Sequence, residues 1–272
     1  MDIGWKTTDV DMGAETLVFR RVGPSALEPN IAQRTRAPDV ISRDNTPVKP
    51  PHRSGALTDK SGMPFDLDRL MHGLSQARPI LHSREDFRHS LVAHIRKVLP
   101  DYQVQLRFPI SVQGKNHYFD IWIETEKLGI ELIYTTRGLD LSWGNERYVL
   151  REHGGQPPRR YEFLRAVQRI EEAITYGPVR MGYAILLTNQ PHYWNPPSRQ
   201  DVIDAAFRLH DGRQVTGELM WSEHAGEGTI SGKEDPINLL GSYSLHWQDY
   251  STLGRDNNQQ FRYLAVEVQS AN

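Results

Sequence analysis

The sequence predicts an α/β protein built around a mixed sheet, and three observations carry that prediction. A capped amphipathic helix is expected over 84–98. Three β-rich segments follow it with no helical period between them. A second amphipathic helix over 160–174 then leads into a continuous apolar run over 181–188, the pattern of a central strand covered on both faces.

Taken in order, residues 1–64 are expected to form a mostly irregular leader. Pro24, Pro29, Pro38, Pro47, Pro50 and Pro51 interrupt any helical or strand period there, and the residues between them are mostly polar. Within it, Thr16 to Phe19 is a short apolar segment that reads either as a docking strand or as a frayed terminus. A single domain is expected over 65–272. Leu67, Leu70, Met71 and Leu74 recur at helical spacing before Pro79. Ser83 stands three residues before Asp86 in a capping-box-like start, and Phe87, Leu91, Ile95 and Val98 then share one face. Strands are expected over 104–110, 117–124 and 128–134, with a turn at Gln113 to Asn116, which together read as a meander. Gly144-Asn145 between apolar flanks marks a hairpin over 141–150. Phe163, Val167, Ile170 and Ile174 supply the buried face of the 160–174 helix. Beyond residue 200 the pattern turns toward β: Asp211-Gly212 is expected to turn a hairpin, Gly226 to Gly232 to be a mobile loop, and 261–268 to be a final strand.

Composition narrows the function classes. With 32 Lys+Arg against 34 Asp+Glu, any hold on nucleic acid must come from a local basic surface and not from net charge. The absence of cysteine excludes disulfide scaffolds, thiolate zinc sites and cysteine nucleophiles. No apolar run reaches the roughly 18 residues of a membrane span. Asp2, Asp9, Asp11 and Glu15 make the first residues unlike a signal peptide, so a cytoplasmic protein without membrane association is expected.

Two acids stand out. Asp120 and Glu131 each lie in the middle of an apolar strand segment, where a charge is costly unless it is paired or binds a metal. Strict alternation would place Phe119, Ile121 and Ile123 on one face and Tyr118, Asp120 and Trp122 on the other. Carboxylates on adjacent strands can converge on one Mg²⁺ or Mn²⁺ and support phosphodiester hydrolysis. The competing reading pairs Asp120 with an arginine and puts Glu131 on an edge. His82, His89 and His94 lack a zinc-ligand spacing. Arg137, Arg147, Arg151, Arg159, Arg160, Arg165 and Arg169 follow closely, and read either as a phosphate-holding surface or as a solvated face of mixed charge. Trp143 and the His192-Tyr193-Trp194 segment either stack on bases or pack beneath their own turns.

The succession Asp120, ten residues, then Glu131-Leu132-Ile133, with a helix before it and a helix and strand after it, resembles the PD-(D/E)xK nuclease superfamily. The segments HSREDFRHSL, FDIWIE, GIELIYTTRGLD, YEFLRAVQRIE, GYAILLTN and FRYLAVEV are similar to an uncharacterised prokaryotic branch of it, over residues 65–268. The resemblance implies a restriction-endonuclease-like core of helix, three-strand meander, helix and strand, with C-terminal β additions. It implies Mg²⁺ or Mn²⁺ on Asp120 and Glu131, and a deoxyribonuclease of prokaryotic defence or DNA processing, with RNA as the alternative substrate. Two departures qualify this. Ile133 stands where the motif lysine belongs. Either that substitution inactivates the chain, or the cationic role has moved to the 160–174 helix, where Arg165 and Gln168 would line the scissile phosphate. Arg84 stands where the branch carries an acid after the serine, and Glu85 beside it either approaches the metal or is a solvated first-turn acid. Arg137, Arg160, Arg165 and Arg169 are the expected nucleic-acid contacts. The alternative is a catalytically silent module that binds nucleic acid or protein. A homodimer and a protein partner held by the leader are the remaining expectations.

Overall fold

The computed structural model describes residues 65–199 and 201–270, so the expected leader, with Thr16 to Phe19, lies outside the described residues. Helix α1, Leu67–Ala77, is capped by Asp66, and α2, Arg84–Val98, by Ser83, whose Oγ accepts from the Asp86 N–H at 3.1 Å. Strands β1 (Val104–Val112), β2 (Lys115–Ile123) and β3 (Leu128–Thr135) form the expected meander, followed by a hairpin of β4 (Leu139–Trp143) and β5 (Glu146–Leu150). Helix α3, Gln156–Tyr176, begins earlier than its apolar period suggests. Pro157 and Pro158 sit in its first turn, where a missing N–H costs nothing, behind Gly155 at φ 72. Then come β6 (Met181–Thr188), β7 (Gln214–Leu219), the short α4 (Glu227–Ile230), β8 (Ile237–Ser244), β9 (Trp247–Thr252) and β10 (Gln260–Gln269).

The main sheet runs β1-β2-β3-β6-β10-β9 and is mixed, with β3 and β6 its one parallel pair among the described residues. Helices α1 and α2 bury Leu70, Met71, Leu74, Phe87, Leu91 and Ile95 against one face. Helix α3 and the β7–β8 hairpin cover the other with Phe163, Val167, Ile170, Val215 and Ile237. All of β6 is buried, as its apolar run requires.

Three local expectations are corrected. Asp211-Gly212 does not turn a hairpin: its Oδ1 accepts from the Trp247 N–H at 2.8 Å and the Gly212 N–H donates to the Leu245 carbonyl at 2.8 Å, so the turn is spent on the β8–β9 connection. Strand β7 pairs instead with β8, and Ala205–Phe207 is a 3₁₀ turn. The 226–232 segment contains α4. Strict alternation in β2 also fails, because Arg107 opposite Asp120 adopts φ 50 and that pair is missing from the ladder. Leu106 and Ile121 therefore face α2, while Phe108, Phe119 and Trp122 face α3.

Two glycines seat α3. Gly129 of β3 is directly opposite Gly182 of β6. A Cβ on Gly129 would meet the Phe119 ring at 2.6 Å, and one on Gly182 would meet Ile170 Cγ2 at 2.5 Å and the Gly129 carbonyl at 2.8 Å. The helix is thus drawn down beside Glu131, at the residue that precedes Ile170.

Candidate functional site

Strand β2 pairs with β3 only over Ile121–Ile123 and then leaves it. Asp120 is the first residue past that fork, and its Oδ2 accepts the Leu132 N–H at 2.8 Å, replacing the ladder partner β3 has lost. The same Oδ2 accepts from Arg84 Nη2 at 2.6 Å, and Oδ1 from Arg88 Nη1 at 3.2 Å. Arg84 and Arg88 stand one turn apart on α2, which brings both guanidinium groups over one carboxylate.

Glu131 points to the opposite face, toward α3. Arg169 Nε donates to its Oε1 at 2.9 Å and Arg169 Nη2 binds Oε2, a two-point clamp. Burial pushes the Glu131 carboxyl above its ordinary value, and Asp120 pushes the same way, against the pull of Arg169 and Arg84. Burial also works against the Arg169 charge, yet the Glu131 carboxylate holds that guanidinium's pKa above the ordinary arginine value. The two acids are close enough to feel each other, as expected of carboxylates at one fork.

The donor set does not fit Mg²⁺ or Mn²⁺. Hard divalent cations need several oxygen ligands with open lone pairs. Here both Asp120 oxygens and both Glu131 oxygens already accept from guanidinium groups. Among the described residues no group of three acids or histidines converges for a metal. Glu85, the candidate third ligand, has a side chain 65% exposed and sits 3.6 Å from Arg88. Ile133, two residues after Glu131, is half-buried and contributes hydrocarbon to the cleft wall. The positive charge at this centre is therefore carried by Arg84, Arg88 and Arg169.

The remaining candidates separate. Arg165 lines a cleft of about 400 Å³ together with Arg84, Glu131, Ile133, Arg169 and Lys233, and among the described residues it makes no ion pair. Gln168 does not line that cleft: its Oε1 accepts from Arg165 at 2.6 Å and from the Asn238 N–H at 3.3 Å, and its Nε2 donates to Glu172 at 2.8 Å, tying α3 to β8. Arg160 is out of reach of a ligand, because it is 2% exposed and bound to Asp204 at 2.5 Å and to the His192 carbonyl at 2.9 Å. Arg137 is exposed beyond the end of β3, with its backbone N–H held by Asn189 at 2.7 Å. Trp143 stands 43% exposed at the tip of the β4–β5 hairpin, whereas Tyr193 and Trp194 are buried.

Arg88 was not singled out by the sequence pattern, although its spacing from Arg84 places both on one side of α2. Chain-wide comparison adds nothing to this geometry: no protein-family model, no curated protein and no solved structure matches the chain.

Proposed function

We propose that this chain is a nucleic-acid-binding module on a PD-(D/E)xK-like fold that does not cleave its ligand. The observation that carries this reading is the arginine occupation of both motif acids. A nuclease of this pattern keeps two carboxylates open and carries a lysine two residues after the second. Here Arg84, in the place of an acid, binds Asp120, and Ile133 replaces the lysine, so the acids are neutralised and the ammonium is absent. The order of helix, meander with a forked β2–β3 pair, helix and parallel strand supports the likeness of fold.

The same arginines suit the phosphate backbone. Arg84 is 49% exposed beyond its bond to Asp120, and Arg165 and Lys233 share its cleft. Guanidinium groups already oriented by buried carboxylates lose little freedom when they bind an oxyanion. DNA is the ligand we favour, with contacts that position the backbone without reading bases.

Fluorescence anisotropy with DNA oligonucleotides in EDTA tests this. Binding should persist without divalent metal and weaken linearly with the logarithm of salt concentration. With Mg²⁺, no strand breakage is expected from the native chain. The double variant Arg84→Glu with Ile133→Lys is expected to stay silent as well, because Arg88 still binds Asp120 and Arg169 still clamps Glu131. Mg²⁺-dependent cleavage by the native chain that Asp120→Ala abolishes would overturn the silent reading.

A further inference from the structure

A second cleft, of about 460 Å³, lies on the other side of Arg84, between the start of α2, the β4–β5 hairpin and the first turn of α3. Its charged walls are strongly unbalanced. Arg84, Arg151 and Arg159 line it, with Glu85 as the one acid among its lining residues, and Glu85 leans toward Arg88. Arg159 is partnered by Glu162 at 2.6 Å, and Arg84 by Asp120. Arg151 makes no ion pair among the described residues, and its backbone carbonyl is held by the Thr136 hydroxyl at 2.8 Å. A cation whose main chain is fixed while its head has no counter-charge is prepared for an anion from outside.

His153 adds a directed donor. Its Nδ1 accepts the Thr136 N–H at 3.0 Å, so the proton of the neutral ring belongs to Nε2, on the far side of the ring. Its backbone N–H donates to the Thr136 carbonyl at 2.7 Å and its carbonyl accepts from Gln190 at 3.2 Å, which pins this stretch against the end of β3. His82 is not part of the donor set, because its Nε2 is bound to Glu146 at 2.7 Å and its ring stacks on Tyr148 with centroids 4.5 Å apart.

We infer that this second cleft is a phosphate-binding pocket, with Arg151, Arg84 and the His153 Nε2–H as its ligands and Arg159 at its rim. The forked guanidinium of Arg151 matches two oxygens of a phosphate, and the imidazole N–H supplies a third donor. Arg84 lies on the wall between this pocket and the first cleft, so a strand in the first cleft would present its neighbouring phosphate here. The nucleic-acid source of the phosphate rests on the proposed function above. The anion pocket itself does not.

The test uses the full chain, Arg151→Gln and Arg165→Gln. Arg151 is exposed and its side chain makes no ion pair among the described residues, so this variant should fold like the parent. Affinities are measured for one oligonucleotide carrying a 5′-phosphate, a 3′-phosphate or neither. If the pocket takes a strand end, the matching phosphorylated form binds about tenfold tighter and Arg151→Gln erases that preference, while Arg165→Gln weakens all three forms. If the pocket takes an internal phosphate, Arg151→Gln weakens all three forms alike. Equal affinities in the parent and in Arg151→Gln would overturn the pocket. Should no oligonucleotide bind, the proposed function fails and inorganic phosphate becomes the probe. A shift of the His153 ring NMR signals on phosphate titration, lost in Arg151→Gln, would then uphold the pocket, and no shift would overturn it.

Discussion

Two arginine–carboxylate clusters flank α3, and they do different things with the same chemistry. Near the helix start, Asp204 is 1% exposed and lies between Arg160 at 2.5 Å and Arg208 at 3.0 Å. One turn past its middle, Arg169 holds Glu131 beside Asp120, but there the arginine side chains remain 27% and 49% exposed for Arg169 and Arg84. In the first cluster the Arg160 side chain is 3% exposed and that of Arg208 19%, and neither lines either cleft, so its charges hold the chain together. The second has a cleft on each side of Arg84, so its charges also face outward. What separates the two clusters is the solvent access of their cations, since the carboxylates of both are buried.

The largest test of that contrast is Asp204→Ala. It strands the buried Arg160 guanidinium and removes the partner of the partly exposed Arg208, and is expected to cost about 3–5 kcal/mol in urea unfolding. A loss below about 1 kcal/mol would place Asp204 in the same open category as Asp120. Gly182→Ala should cost about 1–3 kcal/mol, because a Cβ there meets Ile170 Cγ2 at 2.5 Å and the Gly129 carbonyl at 2.8 Å. Hydrogen exchange should rise around Arg169 and stay low around Arg160, about two and a half turns away along the helix. Uniform loosening would mean that α3 moves as one rod and that the clusters are not independent.

Glu131→Gln probes the sign of the open cluster. The folded Glu131 pKa lies above its ordinary value of 4.5 because of burial, with Arg169 and Arg84 opposing. A raised folded pKa means that this carboxyl's contribution is fully present below about pH 4.5 and is lost as pH rises through the folded value. The variant should therefore be no less stable than the parent at pH 7, with a flatter dependence of unfolding free energy on pH. A marked loss at pH 7 would show that the Arg169 clamp outweighs burial. The smallest stability effect is expected for Arg84→Ala, within about 1 kcal/mol, since Arg84 is half exposed and Asp120 keeps Arg88 and the Leu132 N–H. On the proposed function, its DNA affinity should nonetheless fall, with the salt slope reduced by about one. Unchanged affinity would remove Arg84 from the ligand surface.

The helices and the meander are legible in the sequence because local signals agree there: the Ser83 cap, the i, i+4 apolar faces, and the β-branched runs. Strands β8 and β9 are not, since Asn238, Gly241, Ser242 and Ser244 dilute the apolar alternation and Asp211-Gly212 imitates a hairpin turn whose groups are used elsewhere. At the site, the two mid-strand acids are visible as anomalies in one dimension. Their partners are not, because Arg84 reaches Asp120 across 36 positions and Arg169 reaches Glu131 across 38. Arg160 is the clearest case: in sequence it is one more arginine in a basic stretch, and only the fold turns it inward to Asp204. Burial of a charge depends on which helix face meets the sheet, and a helix with arginines on several faces leaves that undetermined.

The glycine pair at positions 129 and 182 bears on how this scaffold could be altered. With both side chains reduced to hydrogen, the depth of α3 on the sheet is set by main chain and by Ile170, not by the polar residues facing Glu131. Positions 165 and 169 on the helix, and 131 and 133 on β3, thus form a removable facing whose height above the sheet stays constant. An engineer could exchange that facing as a set, adding acids or a lysine or inverting the charge, while the hydrophobic layer beneath keeps its shape.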